Sequence, residues 1–356
     1  MLDSTRTGTL LQVLGDDLDG RGAVVVAGAS VALAASVLSF LFAPGLLVFP
    51  FAAFLLLSGV GWVTQQAATA RLLTLVATVS TLITFGFITV FLFGNALPAI
   101  LDHGLGLFLP NADGTFWNPS ANVYSLVPMI WATVLVTVIS GFIAGPLGVL
   151  GALFISEIAP GWAREIVKPG VEILAGIPSI VYGYIGFRAL NGFVQETFLD
   201  DGASFLIAGI VVGVMALPTV VSVAEDALAS VPDDMKDGSL AMGATRWQTM
   251  KSISLPASLS GLSAAVILGL GRAIGETMAV AAIMAAGVGL PKPLWDLFDS
   301  SATLTSLIAT QYGTASESTV QVLFVAGILL FGIVAILSIT SQIIERRMRR
   351  RLQGET

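Results

Sequence analysis

Arg272 and Glu276 sit in a run otherwise without charge, Ala264-Ala-Val-Ile-Leu-Gly-Leu-Gly271-Arg272-Ala-Ile-Gly275-Glu276-Thr277-Met-Ala-Val280. A charge at the centre of a membrane helix costs roughly 2.5–3.5 kcal/mol on insertion scales, so such residues face a protein interior or a watery path. On a continuous helix the i, i+4 spacing puts both on one face, where they can pair. Gly271 and Gly275 let a second helix or a ligand come close, and Thr277 adds a hydroxyl. Two chemistries fit. The pair is a structural ion bridge between helices, or Arg272 is a fixed cation on the route of an anion, held by Glu276 until the anion arrives. A guanidinium fork suits a tetrahedral oxyanion.

A second group of residues lies in a polar stretch, Ala224–Ser258. It reads Ser230-Val-Pro-Asp233-Asp-Met-Lys236-Asp237-Gly238-Ser239-Leu-Ala-Met242-Gly243-Ala-Thr245-Arg-Trp247-Gln-Thr-Met250-Lys251-Ser-Ile253-Ser-Leu255-Pro256. Ser230 and Asp233 suggest a capped helix start, with acids in the first turn where the dipole favours them. Gly243 is a natural left-handed stop. A short second helix over 245–252 follows, and Pro256 opens the next span. Met242, Trp247 and Met250 among charges read as a docking surface, against the plainer alternative of an amphipathic loop on the membrane.

Much chemistry is absent. There is no cysteine, so no disulfide or thiol site. None of the lysines 168, 236, 251 and 292 follows a glycine, so there is no P-loop and ATP hydrolysis is not expected in this chain. No metal-ligand cluster, nucleophile elbow or nucleic-acid footprint is evident, and His103, the one histidine, reads as a surface residue. No cofactor is expected.

The elements that position these groups follow from composition. The 356 residues are 55% hydrophobic and 11% charged, with a mean hydropathy of +0.91. Soluble domains carry about 25% charged residues, so the outer surface of this chain must face a bilayer. Apolar runs long enough to cross occur at 22–42, 44–63, 72–93, 126–155, 169–187, 205–223, 259–286 and 319–344. This reading is an all-α integral membrane protein of about eight transmembrane helices. The fourth run, long for one crossing, contains Pro146 and is expected to kink there or to project beyond the membrane. In the fifth, Pro178 is expected to kink or interrupt the helix and free carbonyls next to the pathway, with Ser179 and Tyr182 beside it as gate or kink residues. Glu172, near the cytoplasmic end, reads as structural, reaching the interface or pairing with Lys168 one turn away. The segment 94–125, rich in Pro, Asn and Gly, reads as an ordered outer loop.

Charge placement orients the chain. The basic tail after Ile344 belongs in the cytoplasm. Counting back puts Arg6, Arg21, Arg71, Arg164, Lys168, Lys236, Arg246 and Lys251 on the same side, with both termini cytoplasmic. Asp102, Asp113, Asp200, Asp201, Asp296, Asp299 and Glu317 fall outside, with Lys292 and Arg188. Residues 1–20 are acidic and the first apolar run is long, so it reads as a retained span and not a cleaved signal. The net charge of −7 is compatible with a halophilic prokaryotic source, since high salt screens repulsion between carboxylates, and equally with an ordinary acidic loop bias.

The spacing Gly243-x9-Ile253-x-Leu255-Pro256 resembles the "EAA" loop of binding-protein-dependent ABC importer permeases. Asp237-Gly238-Ser239 stands where that family has Glu-Ala-Ala; Gly238 weakens the helix by about 1 kcal/mol. The string around Arg272 resembles the PstC-type phosphate permease. So do Ser156-Glu-Ile-Ala-Pro160, Lys168-Pro-Gly-Val-Glu172-Ile-Leu-Ala-Gly-Ile-Pro178-Ser-Ile-Val-Tyr-Gly183 and Leu304-Thr-Ser-Leu-Ile-Ala309. The resemblance runs from about Leu72 to the carboxyl terminus. It implies a six-helix permease core over 72–344 with the coupling loop 224–258, preceded by a cytoplasmic segment 1–21 and an extra hairpin 22–63, and followed by a basic cytoplasmic tail 345–356. It also implies inorganic phosphate as cargo, a second (PstA-type) permease, an ATPase dimer gripping Asp237, Gly238, Ser239, Gly243, Ile253, Leu255 and Pro256, and an extracytoplasmic phosphate-binding protein. The rival readings are a secondary anion carrier, a permease for another oxyanion, and a membrane-embedded enzyme or scaffold. The docking-type loop argues against a carrier, and no catalytic group supports an enzyme.

Overall fold

The computed structural model describes residues 20–110, 114–197, 204–284 and 287–352. The amino-terminal leader, Asp113, Asp200, Asp201 and the last four residues lie outside them. By internal contacts the chain divides into two compact units, Met1–Phe91 and Leu92–Thr356.

The first unit holds α1 (Gly20–Phe42), α2 (Val48–Thr64) and the start of α3 (Gln66–His103). Its small core is Val26, Ala29, Ala32, Phe54, Ala68 and Leu72. Large apolar side chains such as Phe42, Phe49 and Leu56 stay exposed along these helices. On a soluble protein a surface like this would be an association site; on apolar helices of spanning length it is the lipid-facing side.

The second unit begins within α3. The outer segment expected as a loop from residue 94 is instead helical to His103, with Pro98 inside the helix. A two-stranded hairpin follows, β1 (Trp117–Asn118) with β2 (Val123–Tyr124). Tyr124 hydrogen-bonds Ser318 and Thr319, and Trp117 Nε1 donates to Gln311. His103 stacks edge-on against Tyr124 at 5.1 Å, which gives the lone histidine an aromatic neighbour in place of a purely surface position.

The long fourth run is α4 (Val127–Leu153), unbroken at Pro146, continuing into a π-turn, Phe154–Ile158. Its 27 residues span about 40 Å, so it projects past a hydrocarbon core of about 30 Å. The fifth run is two helices, α5 (Gly161–Gly176) and α6 (Ser179–Ile185), set at 91° across Ile177–Pro178. A second π-turn and the short α7 (Gly192–Thr197) follow, then α8 (Phe205–Ala229). The inner loop holds α9 (Asp233–Ala241) and α10 (Arg246–Thr249). The chain then runs through α11 (Leu255–Ile274), α12 (Met278–Ile283), α13 (Leu304–Gln311) and α14 (Glu317–Leu352). With α5 and α6 taken as one bent span, up to eight crossings result among the described residues, and otherwise seven.

Glycine lets α4, α8 and α11 pack in near contact. A Cβ on Gly209 would lie 2.5 Å from Ile139, and one on Gly148 2.6 Å from Val220. In lipid, where apolar side chains gain little by leaving their surroundings, such close backbone approach is the main source of helix association.

Candidate functional site

The seventh span departs from the expectation of one helix carrying a paired Arg272 and Glu276. α11 ends at Ile274, and Gly275-Glu276-Thr277 is a break before α12. Gly275 at the helix end and the acceptor that Glu276 offers to the next helix favour a stop over continuation. Glu276 Oε1 accepts from the Ala279 amide at 3.1 Å, serving the exposed amino end of α12. Thr277 Oγ1 donates to the Gly275 carbonyl, and Thr305 Oγ1 of α13 donates to the Glu276 carbonyl at 2.8 Å. The carboxylate is thereby occupied with backbone. Arg272, in the last turn of α11, has no ion-pair partner among the described residues and is exposed on this chain, as is Gly275, while Gly271 is half-buried.

The break at Pro178 is as expected, and its freed carbonyl is satisfied: the Tyr182 hydroxyl donates to Leu174 O at 3.0 Å, stitching α6 to α5. Ser179 is the first residue of α6. The two broken spans meet. A Cβ on Gly183 would lie 2.8 Å from the Ala279 backbone, and one on Gly186 2.7 Å from Ile283. Tyr182 is also within electrostatic range of Arg272. Arg272, Glu276, Thr277, Tyr182 and Thr305 thus gather where two discontinuous helices cross, the arrangement in which transporters admit irregular backbone beside a pathway.

On the loop, Gly243 stops α9 with φ +88°, as expected. Other features differ. Ser230 closes α8 through a bond to Ala227 O and does not cap α9, whose amino-terminal flank is Pro232. Thr245 and Gln248 form a reciprocal capping box for α10. Met242 and Trp247 are exposed, 86% and 64%, but Met250 is only 4% exposed and packs with Leu228, Leu153 and Leu262, so it belongs to the core and not to a docking face. Asp237 and Gly238 are exposed on α9, and Ser239 is buried against Thr249 Oγ1 at 3.0 Å. Ile253 lies in the π-turn Met250–Ser254, and Leu255 and Pro256 open α11.

Two ion pairs here were not legible from spacing. Lys236 of α9 meets Glu157 of the first π-turn at 3.0 Å. Lys168 of α5 meets Glu225 of α8 at 3.0 Å, so Glu172, the expected partner of Lys168, is only a nearby charge. Glu157, Lys236, Asp237, Arg246 and Trp247 line a cleft of about 370 Å³ beneath the loop. No cluster of potential metal ligands occurs among the described residues.

Residues 144–350 match the family described as binding-protein-dependent transport system inner membrane component. The chain belongs to this family. The matched stretch contains α5, α6, the loop and the Arg272 break. Among curated relatives, a probable ABC transporter permease protein, YqgH, of Bacillus subtilis is 39% identical over 66% of this chain and 75% of its own length. A probable phosphate transport system permease protein PstC of Methanocaldococcus jannaschii is 33% identical over 76% of this chain and 90% of its own. Among solved structures, a bacterial alginate ABC transporter has a chain that aligns over 81% of this one and 97% of its own, with 16% identity and a TM-score of 0.56; that likeness concerns the fold. The permease therefore carries the expected all-helical membrane architecture on two independent grounds, sequence and shape.

Proposed function

We propose that this permease forms half of the membrane path of an ATP-driven phosphate importer, with a PstA-type second permease, an ATPase dimer docked on α9 and α10, and an extracytoplasmic phosphate-binding protein. The observation that carries the reading is Arg272: a guanidinium without a carboxylate partner among the described residues, exposed at a helix break in the span. A cation so placed is costly unless water or an anion reaches it, and its fork geometry matches phosphate oxygens. Relatives named as phosphate permeases support the same cargo.

In this reading ATP binding closes the ATPases and rocks the loop about Gly243. The bundle opens outward and takes phosphate from the binding protein near Arg272, and hydrolysis resets it inward. Glu276 holds the start of α12 and adds negative charge behind the cation, so the anion is bound without being trapped. Thr277 and Tyr182 supply hydroxyls nearby.

The test is phosphate uptake by cells carrying the complete transporter with Arg272→Gln, with assembly and ATPase association measured alongside. Uptake lost in an assembled complex supports an anion route past Arg272. Uptake unchanged would reduce Arg272 to a structural residue and leave the phosphate reading resting on the relatives alone.

A further inference from the structure

Of the residues in α9, only Lys236 and Ser239 turn away from solvent. Met235 and Leu240, its large apolar side chains, stay exposed. The helix is thus fastened by polar contacts. Ser239 bonds Thr249, which belongs to the same loop. Lys236 reaches outside the loop, to Glu157 at 3.0 Å, and both side chains are largely shielded from water, 18% and 16% exposed.

Glu157 sits at a junction. The π-turn that carries it ends α4, and its Ile155 and Ser156 carbonyls both accept from the Arg164 guanidinium of α5, at 2.8 and 2.9 Å. α5 is in turn pinned to α8 by Lys168 and Glu225 and ends at the bend before Pro178. Apolar contacts slide, whereas opposite charges shielded from water attract strongly and resist separation, whatever the angle at which they meet. Asp233, Asp237 and Arg246 also face this cleft, so the pair sits among charges of both signs and its geometry is set by the elements that hold it.

We propose that the Lys236–Glu157 pair is the strut that passes movement of α9 to the α4–α5 junction, and through α5 to the Pro178 bend. Lys236 and Glu157 are positioning residues. The proposal rests on the reading that an ATPase docks on α9.

The experiment uses the whole complex reconstituted in liposomes. The chain has no cysteine, so spin labels on Ile173→Cys and Tyr184→Cys, both exposed, attached before the other subunits are added, report on the two sides of the bend alone. In the parent, nucleotide should change the distance between the labels. In Lys236→Met the change should vanish, and phosphate taken up per ATP hydrolysed should fall roughly tenfold, within the usual span of coupling between sites. Lys236→Arg, and the exchange Lys236→Glu with Glu157→Lys, should restore both. An assembled Lys236→Met complex that keeps the label movement overturns the proposal. Where Lys236→Met does not assemble, the exchange variant carries the test: an assembled exchange complex that hydrolyses ATP without label movement overturns it equally. The movement needs nucleotide and no cargo. A parent that moves its labels but takes up no phosphate therefore refutes the phosphate reading and supports the first step of the strut.

Discussion

Val220 is fully buried between two glycines, Gly148 on α4 and Gly269 on α11, and this arrangement permits an unequal rescue. A Cβ added at Gly269 would lie 2.4 Å from Val220 Cγ2 but 3.8 Å from its Cβ. A Cβ at Gly148 would lie 2.6 Å from Cγ1 and 2.7 Å from Cβ itself. Carbon atoms ordinarily meet at about 3.5–4.0 Å, and a helical valine has one strongly preferred rotamer, so neither alanine fits as the helices stand. Each single substitution should cost about 1–3 kcal/mol, the usual range for overpacking. Val220→Ala removes both γ carbons. Gly269→Ala then meets only an ordinary contact, while Gly148→Ala still clashes. In two double-mutant cycles Val220→Ala should recover most of the cost of Gly269→Ala and less than half that of Gly148→Ala. Thermal unfolding in detergent, followed by the fluorescence of the six tryptophans at one fixed scan rate, measures both. Equal rescue of the two glycines, or none for Gly269, would refute the packing argument.

Three further outcomes are expected. Gly183→Ala should lower the unfolding temperature more than Gly186→Ala, because the neighbour of Gly183 is the Ala279 backbone, whereas Gly186 meets only side-chain atoms of Ile283 and Val211. Tyr182→Phe leaves the Leu174 carbonyl at the bend without its donor; a loss of about 1–3 kcal/mol should show as faster amide exchange across residues 177–181 while the remaining helices keep their protection. In the loop, Met250→Ala should destabilise the permease by about 2–5 kcal/mol, as a buried truncation. Trp247→Ala should leave unfolding unchanged and weaken copurification of the ATPase, which separates the core residue from the exposed one.

The features legible in the sequence were those set by local chemistry. Gly243 stops a helix because a left-handed residue is needed there, and Pro178 breaks one because it removes a donor. Apolar runs of spanning length marked the crossings for the same kind of reason. The Gly275 break was hidden: small residues inside an apolar run read equally as helix packing, and only the bonds from Ala279 and Thr305 to Glu276 decide for a stop. Met250 was misread because a methionine among charges does not reveal which face it takes, and the core of α4, α8 and α11 claims it. Lys236 and Glu157 carried no signal, since their meeting depends on how α4 and the loop fold back.

The polar fastening of α9 has a consequence for a copy that never finds its partners. A helix of nine residues with Gly238 inside it and no apolar anchor is marginal alone, and segments of this kind open locally at little free energy. Until another subunit covers it, the stretch around exposed Met242 and left-handed Gly243 is open to a protease whenever the helix unwinds. An ATPase docked on α9 and α10, as proposed, would hide that stretch. An orphan subunit would thus carry its own mark for disposal, and the cell's supply of the partner would set how much of this permease survives.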